Sequence, residues 1–202
     1  MTLSLFPVTR TLIGTIVVNR SFKMNGIHLN GTMNEQKTLA SVEEYYGRVL
    51  STSKDLKTSA CSASKQPHHL IIDAMKDIPN EVMSKFYGCG TPLPFGIDGL
   101  TVLDLGSGSG RDCYLASKLV GENGKVIGLD MTDEQLDIAR NHVAEYTNTL
   151  GYAAPNMEFK KGYIERIIES GVEKESVDLI ISNCVVNLSP DKPAVLKGMF
   201  HV

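Results

Sequence analysis

The sequence predicts an α/β fold built on a doubly wound parallel sheet, and three observations lead to this prediction. From residue 101 onward, apolar runs of strand length alternate with amphipathic stretches of helix length. The first run, 101–105, passes through three alternate glycines into a helix. The second run, 126–130, ends on the carboxylate of Asp130, about twenty residues after the glycines. Such a sheet collects its ligand at the carboxyl ends of its strands.

The predicted elements follow one another in the order that this sheet requires. The helix at 111–120 stops before Gly121 and Gly124, because glycine ends helices. Only four strands fit before Val202, so the strand at 177–182 would form an exposed edge. We therefore expect a chain truncated at its C-terminus, rather than a second molecule that completes the sheet. Strands are expected at 101–105, 126–130, 157–161 and 177–182. Helices are expected at 42–50, 73–86 and 111–120, and two further helices are expected to begin at residue 132 or 133 and at residue 190 or 191.

Composition and charge argue against several classes of protein. The 202 residues carry a net charge of −3, which gives no reason to expect a nucleic-acid partner. The apolar stretch at 3–18 is too short and too interrupted to span a membrane. The four cysteines form no C-x-x-C pair, so no zinc site is expected. We divide the chain into a disordered extension at 1–41, a helical and loop segment at 42–95, and a partial ligand-binding domain at 96–202.

The glycine turn and Asp130 indicate which ligand binds at the strand ends. Gly106, Gly108 and Gly110 follow a G-x-G-x-G pattern, which differs from the G-x-G-x-x-G of dinucleotide sites. The turn presents N–H groups to a carboxylate, and Asp130 accepts hydrogen bonds from ribose hydroxyls. These features favour S-adenosylmethionine, which has no pyrophosphate; a plain strand–turn–helix with a solvated aspartate is the alternative. Asp104 is expected to order the turn by accepting its N–H groups.

The cysteines are the other candidate functional residues. Cys184 follows the fourth predicted strand, at the edge where open α/β sheets bind ligands. Its thiolate suits a soft, thiophilic atom, although a role as a small buried apolar side chain is equally open. Cys61 and Cys89 lie in loops that suit thiol–disulfide exchange, or they are incidental loop residues. Cys113 faces the sheet from the helix predicted at 111–120, where packing is its expected role.

Several segments together resemble the arsenite methyltransferases. The resemblance covers residues 43–197 and is most specific in the Y-G-C-G and S-N-C-V-x-N-L segments. It implies a Rossmann-like class I methyltransferase sheet, incomplete because only its first four strands are present. The matching segments lie at 45–47, 86–90, 103–113, 128–132, 162–165 and 182–188.

The resemblance also implies roles for individual residues. Enzymes of this family transfer methyl groups from S-adenosylmethionine to trivalent arsenic held by cysteine thiolates. Cys61 and Cys89 correspond to the redox-active pair of the family, and Cys89 and Cys184 to arsenic ligands. Met131 and Ile164 would enclose the adenine. The full set of implied cofactor contacts is Tyr87, Gly106, Ser107, Gly108, Asp130, Met131, Gln135, Ile164 and Glu165.

The resulting expectation is a cytoplasmic arsenite methyltransferase that acts on arsenite and methylarsenite, bound as thiol conjugates. It would use S-adenosylmethionine and a thiol reductant, either glutathione or thioredoxin, with no nucleic-acid or membrane partner. Two alternatives stay open. A non-catalytic fragment that binds S-adenosylmethionine is one, because only half of the expected sheet is predicted in this chain. A methyltransferase that acts on carbon or oxygen of a small molecule is the other.

Overall fold

The computed structural model describes residues 15–19, 33–49 and 68–202 of the chain. Its strands are β1 (Thr15–Asn19), β2 (Thr101–Leu105), β3 (Lys125–Asp130), β4 (Met157–Lys161) and β5 (Leu179–Asn183). Within the described residues these strands form one sheet in the spatial order β1-β5-β2-β3-β4. The strands from β2 to β5 pair in parallel, which confirms the predicted sheet.

The helices flank the sheet, and α4, α5 and α7 in the second half of the chain begin at or close to the predicted residues. Arg111 begins the helix after the glycine turn, and Gly121 ends it with a φ of +72°. The last helix begins after Asp191, whose carboxylate accepts a hydrogen bond from the N–H of Ala194 at 2.9 Å. The helices are α1 (Met33–Glu44), α2 (His69–Met75), α3 (Asn80–Ser84), α4 (Arg111–Val120), α5 (Asp133–Asn141), α6 (Val143–Leu150) and α7 (Lys192–Met199).

Two helical predictions in the first half of the chain are corrected. The single helix expected at 73–86 is split into α2 and α3, because Pro79 lies between them and proline interrupts a helix. The helix expected at 42–50 is the end of a longer element. It begins at Met33 as α1 and continues as a π-helical turn over Tyr45–Val49.

Alternating side chains of the strands divide the core into two layers, one on each face of the sheet. Val102 of β2 packs in the layer that contains α4 and α5, whereas its neighbour Leu103 packs in the opposite layer with α7. Leu179 and Ile180 of β5 divide between the layers in the same way. The carboxyl ends of the four parallel strands meet at one edge of the sheet, between two packed layers. Among the described residues, no helix combines the length and the apolar character needed to cross a membrane.

The edge of β5 is covered, contrary to the expectation of an exposed edge. β1 pairs with β5 over five residues, from Thr15 opposite Asn183 to Asn19 opposite Leu179. Both β1 and most of α1 fall within residues 1–41, for which we expected no ordered structure. The β-branched run at 15–18 suits a strand and satisfies the backbone groups that β5 would otherwise leave unpaired.

Candidate active site

A cavity opens at the carboxyl ends of β2, β3 and β5. The glycine turn after β2 lines it, and so do residues of α1 and of the π-helical turn. All the residues predicted as cofactor contacts line this one cavity: Tyr87, Gly106, Ser107, Gly108, Asp130, Met131, Gln135, Ile164 and Glu165. Cys184 lines it too. The fold thus brings the predicted residues together, while their contacts with a cofactor stay predictions.

The glycine turn is fixed to the end of β3. The N–H groups of Gly106 and Ser107 donate to the carbonyl oxygen of Leu129, at 2.7 and 3.1 Å. The N–H of Gly108 donates to Oδ2 of Asp130 at 2.8 Å. Burial raises the pKa of Asp130, and the backbone hydrogen bonds that its carboxylate accepts oppose this shift. The turn and the acidic strand end therefore form one rigid unit at the cavity wall.

Asp104 lies beneath this unit and does not order it as expected, because the turn amides donate to Leu129 and Asp130. The Oδ2 atom of Asp104 instead accepts the thiol hydrogen of Cys113 at a separation of 3.4 Å. Burial raises the pKa of Asp104 well above its ordinary value, and the nearby carboxylate of Asp112 raises it further. Cys113 is fully buried in the core, as its predicted packing role requires.

Four buried oxygen atoms of residues that line the cavity have no hydrogen-bond partner among the described residues. They are Oδ1 of Asp104, Oγ of Ser107, Oε1 of Gln135 and Oε2 of Glu165. A buried polar atom that lacks a partner costs about 1–3 kcal/mol. Their concentration in one cavity indicates a ligand that carries several donors, such as an ammonium, hydroxyl or amino group.

Two sulfur atoms lie side by side next to the cavity. The Sγ of Cys184 is 2.7 Å from the Sγ of Cys89. Cys184 has a free thiol, whereas Cys89 is disulfide-bonded. Burial raises the pKa of Cys184, and a hydrogen bond from the Cys89 backbone opposes the shift. Cys61 lies outside the described residues, so its pairing with Cys89 stays a prediction.

The backbone of Cys184 has a φ of +63°, in the left-handed region. A residue with a side chain seldom adopts this conformation, and strain of this kind concentrates at functional sites. The reversal of the chain after β5 places the thiol of Cys184 at the cavity rather than in the packed layers. This arrangement favours the functional interpretation of Cys184 over a purely apolar role.

Sequence reasoning missed the cover of the cavity. This cover consists of α1 and the π-helical turn, whose residues Leu39, Val42 and Tyr46 line the cavity. Gln135 anchors this cover, because its Nε2 donates to the carbonyl oxygen of Tyr46 at 3.1 Å. The Tyr46 ring lies 6.0 Å from that of Tyr87, measured between ring centroids. The only signal in the sequence is the segment at 45–47, for which the resemblance implies no role.

The chain has four parallel strands, a glycine turn after β2 and an aspartate at the end of β3, and its cavity is rich in unpaired acceptors. Together these features are typical of a nucleoside-binding α/β protein. A family model described as a methyltransferase domain matches residues 97–202, which is more than half of the chain. The chain belongs to this methyltransferase domain family.

Individual relatives narrow the comparison. Arsenite methyltransferase of Mus musculus is 45% identical over 162 residues, which cover 80% of this chain and 43% of the relative. Arsenite methyltransferase of Aquipseudomonas alcaligenes is 46% identical and covers 80% of this chain and 46% of its own length. The crystal structure of an arsenic(III) S-adenosylmethionine methyltransferase from Chlamydomonas reinhardtii superposes with a TM-score of 0.65 and 52% identity, covering 69% of this chain and 46% of that chain. The chain thus spans less than half the length of each.

Proposed function

We propose that this chain binds S-adenosylmethionine and contributes the methyl-donor site and two arsenic ligands of an arsenite methyltransferase. One observation carries the proposal: a cavity with four unpaired buried oxygen atoms has the thiol of Cys184 in its wall and the sulfur of Cys89 beside it. The similarity to arsenite methyltransferases over most of the chain supports the same assignment.

The polar atoms of the cavity match the donors of S-adenosylmethionine. Asp104 offers an unpaired carboxylate oxygen to an ammonium group, and Gln135 and Ser107 offer acceptors to neighbouring donors. Asp130 accepts two backbone hydrogen bonds, and its carboxylate retains acceptor sites for ribose hydroxyls. The Oε1 of Glu165 already accepts from the hydroxyl of Ser189, which leaves Oε2 for an amino group at the adenine edge.

When bound, S-adenosylmethionine supplies an electrophilic methyl group on a sulfonium. The chain holds the acceptor: once the disulfide of Cys89 is reduced, Cys89 and Cys184 as thiolates bind trivalent arsenic, which keeps a lone pair for the methyl group. No general base is needed, because the nucleophile has no proton to lose. The protein therefore positions the two partners and excludes water.

Methylation removes the lone pair of the arsenic, so a further round needs two electrons. We propose that Cys61 and Cys89 supply them: the sulfur of Cys61 loses its proton and attacks the sulfur of Cys89, the bond between Cys89 and arsenic breaks, and its electron pair returns to the arsenic. The two cysteines become a disulfide, and one proton is released. A thiol reductant, glutathione or thioredoxin, restores the two thiols by exchange and is itself oxidised to a disulfide. This pairing, the thiol-conjugated form of the substrate and the cytoplasmic location are parts of the proposal.

The full chain is tested with arsenite, glutathione and S-adenosylmethionine, and the products are separated by chromatography with arsenic detection. Monomethylarsenical is expected, and Cys184→Ser should abolish it while S-adenosylmethionine binding by calorimetry is retained. Cys113→Ser is the matched control, because serine can still donate to Asp104.

Other outcomes separate the alternatives. Cofactor binding without any methylated arsenical would contradict catalysis by this chain and support the non-catalytic fragment. Equal turnover of a thiol-free organic acceptor would contradict the arsenic assignment and support a carbon or oxygen methyltransferase.

A further inference from the structure

A buried hydrogen-bonded relay connects α4 to the backbone of Cys89. The Nδ2 of Asn183 donates to Oδ2 of Asp112 at 2.9 Å. The N–H of Cys89 donates to Oδ1 of the same Asn183 at 2.8 Å. Asp112 and Asn183 are both buried, at 3% and 7% exposure, so water does not compete for these bonds. The relay therefore ends at the residue whose sulfur faces Cys184.

Asp112 decides which way the amide of Asn183 points. A carboxylate only accepts hydrogen bonds, so the side-chain NH2 of Asn183 must face Asp112. The amide oxygen is then directed at the N–H of Cys89. If a donor stood at position 112, the amide would turn round, and its NH2 would meet the Cys89 N–H with no acceptor between them.

Arg111 forms an ion pair with Asp112 and also donates hydrogen bonds to the loop that contains Cys89. Its guanidinium pairs with the carboxylate of Asp112 and donates from Nη1 to the carbonyl oxygen of Gly90 at 2.9 Å. Its Nη2 donates to Oγ1 of Thr91 at 3.2 Å. The loop is thus fixed on both sides of Cys89 by groups that α4 and β5 supply.

The fit between the loop and Asn183 leaves little room. A Cβ atom added to Gly88 would lie 2.7 Å from both Cγ and Nδ2 of Asn183. Since that separation is too short for two such atoms, the loop packs directly on the amide. The relay therefore sets the position of the Cys89 backbone rather than only satisfying its N–H.

We infer that Asp112 is a positioning residue for the cysteine pair: acting through Asn183, it fixes the backbone of Cys89 so that its sulfur lies beside that of Cys184. The inference rests on the proposed function and extends it. Neither the sequence motifs nor the named relatives assign a role to Asp112 or Asn183. Neither residue is a ligand or a nucleophile here; both act through the loop.

The test compares Asp112→Asn with the exchanged pair Asp112→Asn/Asn183→Asp. In the single variant the Asn183 amide is free to turn, and arsenite binding to the reduced chain should weaken about tenfold or more. In the exchanged pair, the new amide at position 112 donates to the new carboxylate at position 183. That carboxylate also accepts from the Cys89 N–H, so both bonds of the relay are restored. Arsenite binding should return to within about threefold of the original, measured by equilibrium dialysis.

A second readout does not need arsenic. In the reduced chain, Asp112→Asn should speed the alkylation of Cys89 by iodoacetamide about fivefold or more, because the loop is released. Alkylation of the buried Cys113 should stay unchanged, with peptide mass spectrometry resolving the sites. Asn156→Asp is the matched control, since Asn156 is also a buried amide and hydrogen-bonds to Ser117 and Gly121.

The outcomes separate the relay from the proposed function. If the original chain binds no arsenite but the Cys89 reactivity follows the relay, the inference stands and the arsenic assignment fails. If the exchanged pair folds cooperatively yet behaves like Asp112→Asn, or if the single variant matches the original chain, the inference is overturned. Should Asp112→Asn not fold, Asn183→Ala leaves the Arg111–Asp112 pair intact; unchanged Cys89 alkylation in that variant would also overturn the inference.

Discussion

At the residue scale, the buried carboxylate of Asp104 leaves an acceptor for a ligand but lowers the stability of the folded chain. Its carboxylate is buried, one oxygen has no partner among the described residues, and burial raises its pKa. An acid with a raised pKa in the folded state stabilises the fold while it is protonated. This contribution is present below the unfolded pKa of about 3.9 and is lost as the pH rises through the folded pKa.

Asp104→Asn should therefore separate stability from binding. Asparagine is never ionised, and its side-chain oxygen can still accept from Cys113. We expect the melting temperature at pH 7.5 to rise by a few degrees and the difference to shrink toward pH 4. Affinity for S-adenosylmethionine should fall about tenfold or more, because an ammonium loses its counter-charge. Thermal melts across pH and calorimetry measure the two effects. A variant that is less stable at every pH would contradict this account of Asp104.

Gly106 shows why the turn needs glycine for two reasons. Its φ is +75°, and an added Cβ would lie closer than 3.0 Å to three atoms of the Val185 side chain. Gly99 has nearly the same φ, +73°, but an added Cβ there meets nothing within 4 Å. The pair therefore separates backbone strain from steric overlap.

Gly99→Ala should lower the free energy of unfolding by about 1–2 kcal/mol through backbone strain alone. Gly106→Ala should cost about 2–4 kcal/mol, because overpacking against Val185 adds to the strain. Only the latter should weaken binding of S-adenosylmethionine. Urea titrations and calorimetry compare the two variants. Equal losses of stability would show that the close contact with Val185 is unimportant.

At the scale of elements, the sequence predicted those boundaries of strands and helices that depend on a few neighbouring residues. The boundaries of β2, β4 and α4 were predicted to the residue, because apolar patterns, glycines and helix ends are read within a few positions. The residues predicted as cofactor contacts line one cavity, but that set came from the family resemblance, and their contacts with a cofactor stay predictions. The predicted roles of Cys61 and Cys89 came from the family resemblance rather than from any pattern in the sequence.

The sequence did not predict the elements whose structure depends on contacts with residues far along the chain. The segment that forms β1 is short, and only its pairing with β5, far along the chain, makes it a strand. The cover formed by α1 and the π-helical turn likewise depends on Gln135, which holds the carbonyl of Tyr46. The hydrogen bonds of Asn183 to Asp112 and Cys89 could not be predicted either, because the three residues are far apart in the sequence. A single amide touches two residues that the fold alone brings together.

β1 yields a prediction at this scale. Proline at both Ile16 and Val17 removes two adjacent N–H groups, and adjacent N–H groups of a strand point to opposite edges. One of the two must therefore be lost from the ladder with β5. We expect the double proline variant to lose about 1–3 kcal/mol of stability and to associate through the exposed β5 edge.

Size-exclusion chromatography with light scattering detects the association. Ile16→Thr/Val17→Thr keeps both N–H groups and serves as the control, which should elute as the original chain does. A proline variant that keeps the original mass and melting temperature would contradict the protective role of β1.

At the scale of the whole molecule, the cavity joins segments that are separate in sequence but depend on one another. The glycine turn is bound to β3 by hydrogen bonds, the cover is bound to α5, and the Cys89 loop is bound to β5 and α4. β1 pairs with β5 at the far edge of the sheet, away from β3 and α5. A ligand in the cavity should thus stabilise some segments much more than others.

S-adenosylmethionine at about one hundred times its dissociation constant should stabilise the folded chain by about 2.7 kcal/mol. Because residues of the cover and of the glycine turn line the cavity, added protection from amide hydrogen exchange should be largest in Met33–Val49 and in the glycine turn. Protection in β1 should change least, since β1 lies at the opposite edge of the sheet from β3 and β4. Hydrogen-exchange mass spectrometry of the full chain with and without the ligand resolves these segments. Binding that protects β1 as strongly as the cover would show that the ligand tightens the whole fold, and the cover would then have no special part in holding it.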